Sequence, residues 1–332
     1  MRHCTTTNGA LRLACLCLIT LLPGFNNSTH AAEFSPGNML VTYGNSIYEY
    51  SLMGDFIQSI PVPYPNPPRP SYETVRDVIM TSDGRAACFN GTFTPFMSML
   101  NSETYEWEHL RHPDFHIPNN GNCGGIAAWR QYVFAGELSN DHTEPLRAIV
   151  RYDISNNTSQ RFTKEDLGAD SAGLLGLADL TIGLDGKLYG ITEYDEKIVV
   201  IDPDTMLVDR IFELPYDYRG IAVDEEGNIF TATYTGFLHK FDADGNVLDQ
   251  LFVGIEGFPV DIDLAPDGTI IVGTTRDAVI VTNSEFSSLT RWSVGSNLSN
   301  TFVSFTSYIP EPASGLLLAI LGFCASVRRG GR

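Results

Sequence analysis

Basic residues are scarce in this chain. Its 332 residues hold 21 Lys and Arg against 40 Asp and Glu, a formal net charge of −19. A surface of that sign repels phosphate backbones and anionic lipid, which argues against nucleic-acid binding and favours solubility and cations. Catalytic signatures are also missing. There is no Gly-x-Ser-x-Gly, no glycine-rich phosphate loop and no His-Glu-x-x-His, so no nucleophile, nucleotide site or zinc-hydrolase site is spelled out. Cysteine is sparse. Of six, Cys4, Cys15 and Cys17 lie near the N-terminus and Cys324 near the C-terminus, leaving Cys88 and Cys123. They have no zinc spacing. In an oxidising compartment they allow one disulfide; two buried thiols are the alternative, because Cys88 sits in an apolar run.

Both ends carry apolar runs. Arg2 and Arg12 precede Leu13 to Leu22, Pro23-Gly24 breaks the run, and Thr29-His30-Ala31-Ala32 offers small residues for cleavage after Ala31. Residues 1–31 read as a secretory signal. At the other end Pro310-Glu311-Pro312 precedes the uncharged Ala313 to Val327, followed by Arg328-Arg329-Gly330-Gly331-Arg332. Fifteen helical residues rise about 23 Å, short of a hydrocarbon core of about 30 Å. That makes a weak anchor, suited to a segment held only until it is cut. The arginines should stay on the cytoplasmic side. This tail, residues 310–332, resembles the PEP-CTERM sorting signal of bacterial surface proteins. The resemblance implies that Pro310, Glu311, Pro312, Arg328 and Arg329 form the sorting motif and that an exosortase-type enzyme is a partner. It also implies export to the cell surface or extracellular matrix, with membrane contact only through the tail before processing.

Removing residues 1–31 and 313–332 takes away five basic residues and no acidic ones, leaving residues 32–312. What remains carries 16 against 40, a net charge of −24. Its interior is a repeat. Arg219-Gly-Ile-Ala-Val-Asp-Glu-Glu-Gly-Asn-Ile-Phe-Thr-Ala-Thr233 matches Val260-Asp-Ile-Asp-Leu-Ala-Pro-Asp-Gly-Thr-Ile-Ile-Val-Gly-Thr274, and Gly186, Gly227 and Gly268 stand 41 residues apart. Weaker copies place turns at Gly37, at Gly84 and near Arg130-Gln131. A glycine after Asp or Glu between apolar runs is a tight-hairpin signal. Each copy adds two further short runs rich in Val, Ile, Phe and Tyr. The pattern predicts an all-β domain over residues 32–309, a six-bladed β-propeller with four antiparallel strands per blade. The first unit lacks an innermost strand before Gly37, while Thr301 to Ile309 is left over at the other end. We expect the strand at 301–309 to complete the first blade and close the ring.

The unit at 219–254, with Gly-Ile-Ala-Val-Asp, Gly-Asn-Ile-Phe and Phe-Asp-Ala-Asp-Gly, resembles an NHL repeat. Related propellers include SMP-30-type lactone hydrolases, peptidylglycine lyases and pure interaction modules, and fold alone does not choose among them. The lactonase resemblance implies a Glu, Asn and Asp set around a divalent metal; no motif here aligns with it.

Candidate sites follow from the meander. The Asp-Gly turns mark one face, and the long loops Pro63 to Tyr72, Arg111 to Gly125, Gly136 to Leu146 and Lys164 to Asp179 mark the other. Function concentrates on loops over a rigid scaffold. Asp77, Asp179 and Asp261 sit near the starts of innermost strands, and Asn90, Glu137 and Glu193 close second strands. Hard oxygen ligands converging there suit Ca²⁺ or another divalent cation. The plainer reading is a solvated acidic rim whose channel residues bond backbone amides. A second set, His112, Asp114 and His116, has alternate-residue spacing for a transition metal; such histidines are more often polar loop residues. Trp107, Trp129 and Trp292 read as blade packing. The resulting expectation is an exported, non-catalytic propeller that binds an extracellular polymer, a surface protein or a small ligand. The alternative is a divalent-metal-dependent hydrolase of the lactonase type.

Overall fold

The computed structural model describes residues 33–65, 74–90, 96–101, 103–112, 122–138, 148–168, 176–192, 196–254, 257–276, 278–295 and 300–306, the side chains of Asn90, Asn122, Cys123 and Leu138 excepted. The signal at 1–31 and the tail at 310–332, with Pro310, Glu311, Pro312, Arg328 and Arg329, lie outside these residues. So do Asp114, His116 and Glu193. Among the described residues no helix is long and apolar enough to cross a membrane.

The fold is a six-bladed propeller of four-stranded antiparallel sheets. Blade 1 runs outward from β24 (Phe302–Phe305) through β1 (Met39–Tyr43) and β2 (Ser46–Tyr50) to β3 (Phe56–Pro61). Blade 2 holds β4 (Val75–Met80), β5 (Ala86–Asn90), β6 (Phe96–Leu100) and β7 (Trp107–Leu110). Blade 3 holds β8 (Asn122–Trp129), β9 (Tyr132–Leu138), β10 (Ala148–Asp153) and β11 (Thr158–Thr163). Blade 4 holds β12 (Leu177–Ile182), β13 (Leu188–Thr192), β14 (Lys197–Ile201) and β15 (Val208–Glu213). Blade 5 holds β16 (Tyr218–Val223), β17 (Ile229–Thr233), β18 (Phe237–Phe241) and β19 (Val247–Phe252). Blade 6 holds β20 (Pro259–Leu264), β21 (Thr269–Thr274), β22 (Ala278–Asn283) and β23 (Leu289–Ser293).

Turn chemistry sets the hairpins. Gly84, Gly186, Gly227 and Gly268 adopt φ of 82°, 81°, 79° and 84°, a region that only glycine enters without steric cost. Each N–H closes its turn onto the carbonyl three residues back, at 2.8–3.1 Å. In blade 3 the corresponding turn is made by Arg130 at φ 52°, between the paired Trp129 and Tyr132.

Burial falls from axis to rim. The second strands β13 and β17 are wholly buried, while the outermost β19 and β23 are largely exposed. The core lies between blades rather than within one. Among the described residues, six apolar clusters fill the six interfaces between neighbouring blades. An open arc of six blades would have five. The sixth, between blades 6 and 1, packs Ile271 and Val279 against Met39, Val41, Val303 and Phe305.

The closing strand is therefore as expected from the repeat, although shorter than 301–309. β24 pairs antiparallel with β1, with Met39 opposite Phe305 and Thr42 opposite Phe302. Thr306 still donates its N–H to the Asn38 carbonyl at 3.0 Å, and residues 307–309 lie outside the described region. Cys88 is a fully buried thiol in β5. Trp129 is buried against blade 4, and Trp292 packs 4.8 Å from the Tyr50 ring, so both serve blade packing.

Candidate functional site

The axis is lined by the innermost strands, and an aspartate enters it from every second blade. Asp77, Asp179 and Asp261 lie in β4, β12 and β20, each beside a register shift with the second strand. All three are 5% exposed or less. Each carboxylate spans two blades. One oxygen accepts the N–H of the next residue in its own strand: Val78 at 2.6 Å, Leu180 at 2.8 Å and Ile262 at 2.9 Å. The other accepts an N–H from the innermost strand of the following blade: Ile126 at 2.6 Å, Ile221 at 2.9 Å and Val303 at 2.6 Å. These bonds satisfy amides on the channel-facing edges of the innermost strands, where no neighbouring strand can take them. The carboxylates are clasps between blades 2 and 3, 4 and 5, and 6 and 1.

The intervening blades are shaped to receive the clasps. Gly125 and Gly220 occupy the position equivalent to the aspartates, immediately before Ile126 and Ile221. A Cβ on Gly125, at φ +67°, would stand 2.3 Å from Asp179 Oδ1 and 2.4 Å from the Leu180 nitrogen. Gly125→Ala is therefore expected to cost about 3 kcal/mol or more, from left-handed backbone strain plus overpacking. Thermal denaturation of the variant checks this.

Burial is the first cause that raises the carboxyl pKa values. For Asp77 the Asp261 charge adds to it; for Asp179 both Asp261 and Asp77 do. Burial, with a contribution from Asp263, pushes Asp261 up to about 7. The three aspartates, with Asp263, Val303 and Ser304, line a cavity of about 20 Å³, room for about one water molecule.

The expected cation set lies only partly within the described residues, which leave out Glu193 and the Asn90 side chain. Among the described residues no three His, Cys, Asp or Glu side chains are arranged to hold a metal ion. Both carboxylate oxygens of Asp77, Asp179 and Asp261 accept backbone amides, which corresponds to the plainer of the two sequence readings. Glu137, in β9, accepts both Nε and Nη2 of Arg161 at 2.7 Å. This bidentate pair, with Glu137 4% exposed, commits both its oxygens. Asn90 ends β5 opposite Val75; it occupies the same place as Glu137, which lies opposite Cys123. Glu193 follows one residue beyond that place. His112 is buried at 9% exposure, and its partners Asp114 and His116 fall outside the described residues. His109 Nδ1 lies 2.9 Å from Ser98 Oγ, and burial lowers its pKa.

On the Asp-Gly face a groove of about 200 Å³ is lined by Asp224, Glu225, Glu226 and Asp267. Its two aspartates serve the turns. Asp224 accepts the Asn228 N–H and side-chain amide at 2.7 and 2.8 Å, and Asp267 accepts the Thr269 N–H at 2.9 Å.

The opposite face carries a cluster that the sequence reading did not single out. Arg219, in β16, lies with its guanidinium carbon 4.2 Å from the Tyr234 ring centroid. Burial lowers its pKa, and Tyr234 opposes that shift. Tyr234 meets Phe258 edge-on at 6.0 Å, and Phe258 is 38% exposed. Burial raises the Tyr234 pKa; the charges of Arg219 and Arg76 lower it, and that of Asp217 raises it. Asp217 stands exposed as a residue, yet burial of its carboxyl and the Glu196 charge push it up to about 6. Arg76 lies in blade 2 and Arg219 in blade 5, on opposite sides of the ring. They immediately precede Asp77 and Gly220, which are equivalent positions of the repeat. Of the two, Arg219 is the one stacked on the Tyr234 ring. Aligning units three apart would have exposed the pair; the acidic bias of the chain drew attention elsewhere.

No protein-family model and no curated protein matches the chain. Solved structures do, at low identity. The chain is similar to a structure titled as a nidogen/laminin complex, at 11% identity and a TM-score of 0.61, over 82% of this chain and 99% of that one. A protein of unknown function from Bacteroides caccae matches at 9% identity and a TM-score of 0.55, over 81% and 98%. Virginiamycin B lyase from Staphylococcus aureus matches at 12% identity and a TM-score of 0.55, over 81% and 87%. These likenesses show the propeller fold.

Proposed function

We propose that this chain is an exported surface propeller that binds a ligand without transforming it, at the channel mouth on the face opposite the Asp-Gly turns. The observation that carries this reading is the rim cluster of Arg76, Arg219, Tyr234 and Phe258, half-buried to exposed over a channel whose own carboxylates are committed to amides. Aromatic rings beside arginine are the residue types that dominate binding surfaces. The two ends of the sequence supply the address: a secretory signal, and a tail that an exosortase-type enzyme would process at Pro310-Glu311-Pro312 with Arg328 and Arg329 as the stop. Solved relatives include a lyase and a protein–protein complex, so the fold is compatible with either kind of work.

The test is a binding screen of the purified chain on immobilised glycans and peptides, with Tyr234→Ala as the site variant. The variant is expected to weaken any hit roughly tenfold or more. Asp224→Ala, on the opposite face, should leave the hit intact. Turnover of a lactone panel in the presence of Ca²⁺ or Mg²⁺ would overturn the non-catalytic reading.

A further inference from the structure

We infer that, while the tail is held in the membrane, the propeller turns its Asp-Gly face toward the lipid and its loop-bearing face, with the channel mouth, away from it. This rests on the reading of the uncharged run 313–327 as a membrane segment. The described chain leaves the ring on the Asp-Gly face. Each innermost strand runs toward that face, where its turn to the second strand lies, and β24 is the innermost strand of blade 1. Past its end, Thr306 donates its N–H to the Asn38 carbonyl at 3.0 Å and its hydroxyl to the Ser35 carbonyl at 2.7 Å. Ser35 and Asn38 bracket Gly37, at φ 83°, the blade 1 counterpart of Gly84, Gly186, Gly227 and Gly268. The exit is therefore close to the axis and on the side of the Asp-Gly turns.

Reach then fixes the orientation. The seven Cα steps from Thr306 to Ala313 span at most about 25 Å. Turning the loop-bearing face to the membrane would take this tether outward across three strand spacings, about 14 Å, and then up the height of a strand, about 17–20 Å. That path of about 31–34 Å exceeds the tether, so the ring can lean but cannot turn over. Exposed side chains give the lipid something to meet. Met53, Phe56, Leu207, Val247, Leu248 and Leu289 are 46–77% exposed, and each lies in or just after a turn from third to fourth strand, on the Asp-Gly face. Glu225, Glu226 and Asp267 stand on the same face. The surface that fits is therefore neutral lipid, because an anionic leaflet would repel these carboxylates.

The test uses the full chain, tail uncut, reconstituted in phosphatidylcholine vesicles whose headgroups carry a nitroxide quencher. A clickable fluorescent amino acid replaces Glu226, on the Asp-Gly face, or Thr235, in the turn between β17 and β18 on the other face. Both positions are exposed, and the six native cysteines stay untouched. Position 226 should be quenched and position 235 should not. A flexible Gly-Ser insert of about thirty residues after Ile309 adds about 30 Å of reach and should abolish the difference. Equal quenching at the two positions without the insert, or stronger quenching at 235, would overturn the inference. A preference for 226 that survives the insert would support the facing surface but overturn the tether as its cause. A chain that does not float with the vesicles would overturn the membrane reading of the tail, and the orientation with it.

Discussion

Ending the chain at residue 300 is expected to unfold the entire ring rather than fray one blade. β24 is bound on three sides. It pairs with β1 along Met39 to Thr42. Asp261 accepts the Val303 N–H at 2.6 Å, and Asp263 accepts the Phe305 N–H and the Ser304 hydroxyl at 3.1 Å. Just before the strand, Thr301 Oγ1 accepts the Thr274 N–H at 2.8 Å and lies 3.0 and 3.1 Å from the Thr274 and Ala278 carbonyls. Gly273 lets the Thr301 backbone come close, because a Cβ there would stand 2.0 Å from the Thr301 carbonyl oxygen. Without β24 the blade 6–blade 1 cluster loses Val303 and Phe305, blade 1 loses its inner edge, and Asp261 is left buried without its cross-blade donor. Truncating a buried phenylalanine alone costs about 3–5 kcal/mol, and a whole domain is stable by only about 5–15 kcal/mol. Phe305→Ala should therefore lower the melting midpoint by about 10 °C, and the truncation should abolish the cooperative transition. An unchanged melting curve for either variant would refute closure through this strand.

Much of this fold is legible in the sequence because a propeller repeats its signals. Each turn glycine must reach positive φ, so Gly84, Gly186, Gly227 and Gly268 stand at the hairpins and fix the phase of four of the six blades. The leftover strand near residue 301 follows from counting, since only one blade lacks an inner strand. The site is less legible because it is set by contacts between non-consecutive units. Asp77, Asp179 and Asp261 read as cation ligands when taken one at a time. Their clasp role depends on the Ile126, Ile221 and Val303 amides, which lie on the channel-facing edge of the following blade's innermost strand, and no local pattern announces that geometry. Glu137 likewise reads as a ligand until Arg161, 24 residues on, takes both its oxygens. Arg219 stacks on Tyr234, 15 residues further along the chain, a contact that no local pattern in either segment announces.

Raising the pH from 6.5 to 8 is expected to lower the melting midpoint by several degrees, the reverse of the usual behaviour of an acidic protein in which carboxylates are salt-bridged. Asp261 sits at about 7 in the folded state, against about 3.9 unfolded. Between those values the folded chain holds a proton that the unfolded chain has released, so stability falls as pH rises through the folded value. The slope approaches about 1.4 kcal/mol per pH unit only below the folded value and fades to zero above it, so Asp261 alone loses about 0.8 kcal/mol across this window, and about 1 kcal/mol moves the midpoint of a domain this size by about 2–4 °C. Asp77 and Asp179 are shifted in the same direction by burial and by the shared negative charge, so the trio titrates as a coupled set and broadens the effect. The window separates these groups from others. His109 and His239 are held below their ordinary value by burial; they make stability rise with pH, but only up to about 6.5, the unfolded value. Asp83, Asp153, Asp166, Asp202 and Asp242 are lowered by their hydrogen bonds and act below about 4. Asp217, at about 6, is mostly ionised at the start. Asp261→Asn removes the titration and turns a side-chain amide NH2 toward the Val303 or Ile262 N–H, donor against donor, so it should lower the midpoint at pH 6.5 and flatten its dependence on pH above that. A midpoint that is constant or rises between pH 6.5 and 8 would mean that the clasps are ionised throughout and that the amide bonds outweigh burial and repulsion.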